Sequence, residues 1–400
     1  MFDGTTGYNT PGTQQNTSVG ATYVFNPTTV NEFRASFFRL RNDMLVPSFN
    51  QDWGSQLGIP NISPALMPAF SASPLGVGTY TVAPDYAQLY GLTVTGGNRN
   101  IRQSMSLRDD VSKVHGSHAF KTGYEILYFT ANYLLVGQPS GVFQFDNMTA
   151  GLQTNGQPVP NSGNNFAAFE LGSVKQVNFT TYTNTWQPRD SINSLYFQDD
   201  WKVSRNLTLN LGLRWSTESP YHTAHGQESE FSPTTVDPLT GLTGAVIHPT
   251  GSLNSRDLKN FQPRIGFAYH PLEKWVFRGG FGLNTIDIRW PNSLMQFDEY
   301  QAQVLQARAV NDPRPLFQLS QGPAPVVYNV LPNGSSPYLT TTGNYSSRNI
   351  GWLDPTLHPG YVMNWNFTVE YKISPTSLLK VFYQGSTGVG LVESCNSNAF

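Results

Sequence analysis

Side-chain character in this chain switches at every second residue, over segments long enough to restrict the fold severely. From Leu207 to Trp215 the odd positions read Leu207, Leu209, Leu211, Leu213 and Trp215, while the even ones read Thr208, Asn210, Gly212 and Arg214. A period of two puts successive side chains on opposite faces of an extended strand, so one face is apolar and the other polar. The division recurs from Met363 to Lys372, at Ile265, Phe267 and Tyr269 against Arg264, Gly266 and Ala268, and at Phe277, Phe281 and Leu283 against Arg278, Gly280 and Gly282. Phe120, Tyr124, Ile126 and Tyr128 oppose Lys121, Gly123 and Glu125 in the same way.

These segments predict strands of about 9 to 13 residues, longer than the ~5 to 6 of ordinary sheets and near the ~9 to 11 that cross a bilayer at a tilt. The connections give a second criterion. Short links occur at Asn26-Pro27-Thr28, His115-Gly116-Ser117, Ser204-Arg205-Asn206, Pro271-Leu272-Glu273-Lys274 and Ser374-Pro375-Thr376. Between them lie long irregular stretches, roughly 42 to 100, 130 to 190, 216 to 260 and 285 to 360, rich in Pro, Gly, Ser, Thr and Asn. Strict alternation of short and long ends matches barrels with short periplasmic turns and long extracellular loops. The expected fold is all-β: a transmembrane antiparallel β-barrel of the bacterial outer membrane, partial, about ten strands of a larger barrel. Its hairpins fall at 20 to 41, 101 to 129, 191 to 215, 261 to 284 and 361 to 386.

Parity supports the hairpins, since Leu195, Phe197 and Trp201 share a face with the leucines after their turn, and a register slip would break this. Asp109-Asp110 and Asp199-Asp200 occupy matching places in the second and third hairpins, a weak internal repeat. Soluble sandwiches, propellers and solenoids also alternate, but their strands are usually shorter and their connections need not be long at one end only. The inward set includes Gly123, Gly212, Gly266, Gly280 and Gly282, which cannot fill a small barrel and so imply a wide lumen holding water or a separate plug.

Composition excludes other classes. Charged residues make up 12% of the chain, about half the usual ~25%, yet no run approaches the ~18 apolar residues of a spanning helix and mean hydropathy is −0.33. A net charge of −2 with no Lys/Arg run leaves no footprint for nucleic acid, and 13% aromatics argue against disorder. Cys395 is the single cysteine and forms no internal bridge. The first residues lack the basic start and apolar stretch of a signal peptide.

At Leu195-Tyr-Phe-Gln-Asp-Asp-Trp-Lys-Val203 followed by Leu207-Thr-Leu-Asn-Leu-Gly-Leu-Arg-Trp215, the chain resembles the barrel of TonB-dependent receptors, most closely the Oar-like subgroup. Asn260-Phe-Gln-Pro-Arg-Ile-Gly-Phe-Ala-Tyr269, Phe277-Arg-Gly-Gly-Phe-Gly282, Tyr361-Val-Met-Asn-Trp-Asn-Phe367, Val381-Phe-Tyr-Gln-Gly-Ser386 and Asn165-Phe-Ala-Ala-Phe-Glu-Leu-Gly172 fit the same subgroup. The resemblance implies a barrel of roughly 22 strands around an N-terminal plug, importing large solutes with energy relayed by the inner-membrane TonB system. With no plug, signal peptide or TonB box within residues 1 to 400, the chain is expected to be one partial barrel domain, an interior fragment of a longer receptor. Its expected partners are outer-membrane lipid, the plug of the same full-length chain and, through that plug, the TonB system. The rival readings are a passive porin-like or adhesive barrel and a soluble all-β binding protein.

Catalytic signatures are missing: there is no Walker loop, His-Glu-x-x-His, Gly-x-Ser-x-Gly or Cys-x-x-Cys, so no enzyme, catalytic residue or cofactor is expected. Gly385-Ser-Thr-Gly-Val-Gly390 has no helix pattern after it and reads as entry to a loop rather than a phosphate cradle. His115 and His118 are assigned to a periplasmic turn, and His222 and His225, near Glu218, Glu228 and Glu230, to an outer loop. Solvated histidines account for both pairs, and no metal is expected. The paired aspartates are read as rim charges bonded to neighbours or to the plug, and Trp201, Trp275 and Tyr269 as an interfacial girdle. Solute contacts are expected in the outer loops, which carry Trp186, Tyr221, Trp290, Tyr338 and Trp352, with His222 and His225 beside them. Arg214, Arg264, Arg278, Glu125 and Glu370 are the inward candidates for contact with plug or solute.

Overall fold

The computed structural model describes residues 10–44, 51–64, 68–71, 98–146, 165–220, 222–236, 241–247, 255–287, 300–309, 312, 314–328, 330 and 356–391. Ten long strands dominate: β1 Gly12–Asn26, β2 Thr29–Met44, β3 Asn98–His115, β4 His118–Leu135 and β5 Pro188–Lys202. They continue as β6 Leu207–Glu218, β7 Phe261–Leu272, β8 Trp275–Thr285, β9 Tyr361–Ser374 and β10 Ser377–Val389. Each pairs antiparallel with the next in chain order, giving one continuous wall of five hairpins, with the short strand His222–Thr223 added beside β5. Among the described residues, β1 pairs only with β2 and β10 only with β9. No helix among them is long and apolar enough to cross a membrane, a test that does not bear on β-barrels.

Local chemistry closes the hairpins where the sequence places them. In three turns a side chain accepts a hydrogen bond from the backbone N–H two residues on: Asn26 Oδ1 from Thr28 (3.0 Å), Ser204 Oγ from Asn206 (3.2 Å) and Ser374 Oγ from Thr376 (3.3 Å). Such bonds pre-form a tight reversal before the strands pair. Gly116 turns the second hairpin at φ 57°, the left-handed value favoured by the reversed turns that match strand twist.

Register fixes the two faces across the whole wall. Leu213 pairs with Phe197 on one side and Pro263 on the other, while Leu211 pairs with Ile265, which pairs with Phe281, which pairs with Trp365. Directly paired residues share a face, so these rows form one apolar surface. That surface is not covered: Leu213 is 47% exposed, Ile265 55% and Val381 61%. Large apolar residues this accessible along a whole sheet face are the reverse of a sandwich core and suit contact with lipid.

Two expectations need correction. β1, β2, β3, β4, β5 and β9 run 14 to 18 residues, beyond the 13 anticipated, with β3 and β4 the longest at 18. At ~3.3 Å per residue and a tilt of ~40°, 18 residues rise about 45 Å, so these strands project above an apolar band of ~25 Å. The segment from Gly385 is also strand, not loop entry, because β10 continues to Val389. Gly385 faces Trp365 across the ladder, and a Cβ there would lie 2.7 Å from the indole ring, so glycine lets the ring lie against the strand.

The buried core, termed the cap, lies in the long connections, which are not simply irregular. Strands Ala69–Ser71, Gln138–Gln144, Gln176–Tyr182 and Gln301–Ala307 form a four-stranded sheet, and the helix Asn165–Glu170 packs with it. Ile59, Phe143, Phe145, Ala168, Val174, Val177 and Phe179 are buried together there, with Phe70, Val304, Phe317 and Val326 against them. A second hairpin, Glu230–Val236 with Thr243–Ile247, comes from the third connection.

Candidate functional site

The polar face of β5 to β9 carries a trough with an unusual floor. Two cross-strand rows make it: Asp200, Asn210, Gly266, Gly280, Asn366 and, beside them, Gln198, Gly212, Arg264, Gly282, Asn364. The hollow has a volume of about 530 Å³, with carboxamides at its sides and backbone at its base. A Cβ added at Gly212, Gly266 or Gly282 would meet its nearest neighbour at 3.5 to 3.7 Å, ordinary van der Waals distance. The wall itself therefore does not require glycine at these positions.

Above the trough is a hollow of about 200 Å³ lined by Glu125, Ser194, Arg214, Ser216, Gln262 and Asn284 among others. Arg214 Nη2 donates to Glu125 Oε2 and to Ser194 Oγ, both at 2.8 Å. Gln262 Nε2 donates to Ser216 Oγ and Thr285 Oγ1, also at 2.8 Å.

Toward β3 the same face holds a network that no single strand reveals. Asp110, 4% exposed, accepts from Arg108 Nε at 2.8 Å and from the Tyr196 hydroxyl, with Lys121 Nζ 3.5 Å away. Arg108 Nη2 also donates to the Tyr196 hydroxyl at 3.0 Å, and its guanidinium lies 5.7 Å from the ring centre. A shielded carboxylate is tolerable because three groups bearing protons converge on it. Gly123 makes this possible, since a Cβ there would collide with Asp110 Oδ1 and lie 2.7 Å from the Tyr196 hydroxyl. The residues sit on three strands, and only the interstrand register brings them together.

The inward candidates all share this polar face, and most are already bonded to one another. Besides Arg214 with Glu125, Arg264 Nη2 donates to Asn284 Oδ1 at 2.8 Å, and Arg278 Nε lies 3.8 Å from Glu370 Oε2 with Lys380 3.9 Å from the other oxygen. The aspartate pairs each divide between faces. Asp110 and Asp200 point to the polar side, Asp200 accepting from Asn210 at 2.6 Å, while Asp109 accepts from Asn31 at 2.6 Å and Asp199 meets His118 on the apolar side. The two members of a pair thus cannot share acid and base duties.

His118 Nδ1 lies 2.7 Å from Asp199 Oδ2, with its ring stacked between Phe120 and Trp201 at 5.2 and 5.1 Å; His115 is its partner across the turn. Trp201, Tyr269 and Trp275 share the apolar face near the turns, with Trp275 4.5 Å from Tyr371. In the outer connection, His222 Nδ1 is 3.1 Å from the Pro220 carbonyl, His225 is exposed, and buried Glu228 accepts from the Thr223 backbone. Among the described residues no group of three or more His, Cys, Asp or Glu converges to hold a metal. Trp186 is 3% exposed, stacked on Tyr133 at 4.5 Å, so it anchors the connection to β4 rather than facing solute. Tyr221, Trp290, Tyr338 and Trp352 lie outside the described residues.

The model of a family described as outer membrane beta barrel domain matches residues 2–400. A search of curated proteins returned no match. Among solved structures, the chain is similar to the ferric-catecholate import receptor Fiu from E. coli K12 in its open form, with 10% identity and a TM-score of 0.40 over 97% of this chain and 48% of that one. It is similar to the ferric yersiniabactin uptake receptor FyuA from Yersinia pestis, with 8% identity and a TM-score of 0.41 over 95% and 36%. The outer membrane transporter YddB from Escherichia coli gives 9% identity and a TM-score of 0.45 over 92% and 34%. The chain spans less than half the length of each of these three.

Proposed function

The chain belongs to the outer membrane beta barrel domain family, and from that premise we propose that it is part of the wall of a TonB-dependent receptor for a bulky solute. It resides in the bacterial outer membrane, with its apolar face to lipid and its polar face to a lumen. In this reading residues 1–400 are one partial barrel domain, and the plug lies elsewhere in a longer protein. The observation that carries it is the glycine-floored trough. A lumen wall that omits side chains where its own packing would accept them leaves room for something else to lie against its backbone. Among the described residues β1 and β10 each leave one edge unpaired, which supports a larger barrel, because hydrocarbon does not tolerate open sheet edges.

The test uses the full-length protein. Reconstituted in planar bilayers it is expected to stay closed to small ions, and Gly266→Trp or Gly282→Trp is expected to abolish solute uptake in cells while leaving membrane insertion intact. A steadily open, ion-permeable channel in the unmodified protein would instead establish the passive porin and overturn the receptor reading.

A further inference from the structure

Arginines on the lipid-facing side of the wall are confined, among the described residues, to the loop end of β2, β3 and β5. Arg39 and Arg41 follow Phe33, Ala35 and Phe37 on the same face of β2, and Arg99 follows Leu107 and Met105 on β3. Their height is set by the ladder. Arg39 lies ten residues beyond Thr29, the start of β2, so it stands about 25 Å above the turn at ~3.3 Å per residue and ~40° tilt, and the Arg99 row about 35 Å. The apolar band of such barrels is ~25 Å tall, so the cations begin where it ends.

The cluster carries more positive charge than its own carboxylate offsets. Asp43 accepts from Arg41 at 2.7 Å and from Arg99 at 3.1 Å, which neutralises one of three charges and holds both guanidinium groups side by side. Arg41 and Arg99 stay 43% and 39% exposed. Arg39 Nη1 makes a long 3.4 Å contact with Gln15, and its shielded Nε has no hydrogen-bond partner among the described residues. Arg189 of β5 differs, because its donors are engaged by the carbonyls of Ala131 and Pro188 and by Asn132 Oδ1.

We propose that Arg39, Arg41 and Arg99 bind the phosphate of a lipid headgroup in the outer leaflet, whose hydrocarbon lies on Phe37 and Met105 below. Planar guanidinium forks match phosphate oxygens in bidentate fashion. The continuous apolar column directly beneath selects a phosphate that carries hydrocarbon over a free anion. This inference rests on the outer-membrane placement and not on the transport reading.

The probe is detergent-solubilised diphosphorylated lipid A, titrated against the purified full-length protein, with the same lipid stripped of phosphate and inorganic phosphate as the other arms. The expected result is retention of the phosphorylated lipid, at least tenfold weaker binding of the stripped lipid, and no displacement by millimolar inorganic phosphate. Arg39→Gln/Arg41→Gln/Arg99→Gln is expected to weaken binding to the level of the stripped lipid. Gln103→Glu, which puts a negative charge beside Arg39 while keeping the arginines, covers the case in which the triple variant fails to fold and is expected to weaken binding several-fold. Equal binding of both lipids, displacement by inorganic phosphate, or unchanged affinity in a folded triple variant or in Gln103→Glu overturns the proposal.

Discussion

Leu213→Arg separates a lipid-facing wall from an exposed but watery one. Leu213 lies six residues above Leu207 at the turn, which at ~3.3 Å per residue and ~40° tilt places it about 15 Å up, near the middle of a ~25 Å band. Its cross-strand partners are Phe197 and Pro263, and neither offers a counter-charge. In water, replacing a side chain already 47% exposed changes stability by about 0.5 kcal/mol or less. In a bilayer, arginine near the midplane of a barrel's outer face costs about 2 to 4 kcal/mol. The control is Asn210→Arg on the opposite face, where the added cation meets Asp200 and an aqueous lumen, and the expected change is within about 0.5 kcal/mol. Urea titration of the full-length protein folded into phospholipid vesicles, followed by tryptophan fluorescence, measures both. Equal and small effects from the two substitutions would refute the assignment of faces.

Other outcomes follow from side-chain geometry. Gly123→Ala drives a methyl into the Asp110 and Tyr196 contacts and is expected to destabilise by about 1 to 3 kcal/mol more than Gly266→Ala, measured by the same titration. Gly385→Ala should behave like Gly123→Ala, because its methyl meets the Trp365 ring, and near-UV circular dichroism should register the displaced indole. In the cap, burial pushes the Tyr328 hydroxyl up to about 12, and that hydroxyl has no hydrogen-bond partner among the described residues. The native state therefore favours neutral tyrosine: the benefit is complete below the unfolded value near 10 and is lost as pH rises through about 12, with Tyr328→Phe removing this dependence in an alkaline unfolding series. Tyr328→Phe at neutral pH should leave stability unchanged or raised, since a buried hydroxyl without a partner contributes nothing to replace.

The wall was legible because each of its determinants is local. Leu207 to Trp215 states its own period, and Asn26, Ser204 and Ser374 state their own turns. The cap was less so: Gln176–Tyr182 does alternate, with Val177 and Phe179 on one face, but the stretch is short and its partners lie more than 30 residues away in sequence. The Arg108, Asp110, Tyr196 network needs the register of three strands at once. Inward residues such as Arg214 and Glu125 were identifiable by parity, yet their mutual pairing was not, because parity gives a face and not a height. The lipid-facing position of Arg39 and Arg41 has the same origin, since a charged end to a strand reads simply as the end of a strand.

The cap core joins Ile59 and Phe70 from the first connection, Phe143 to Phe179 from the second, and Val304 to Val326 from the fourth. Surface loops usually vary more, and accept insertions more readily, than the elements they connect. Here three of them share a common interior, so an insertion tolerated in any one is limited by the shapes of the other two. Variation among relatives should consequently concentrate at the margins of this shared core and in the hairpin of Glu230–Val236 with Thr243–Ile247, whose strands pair only with each other among the described residues.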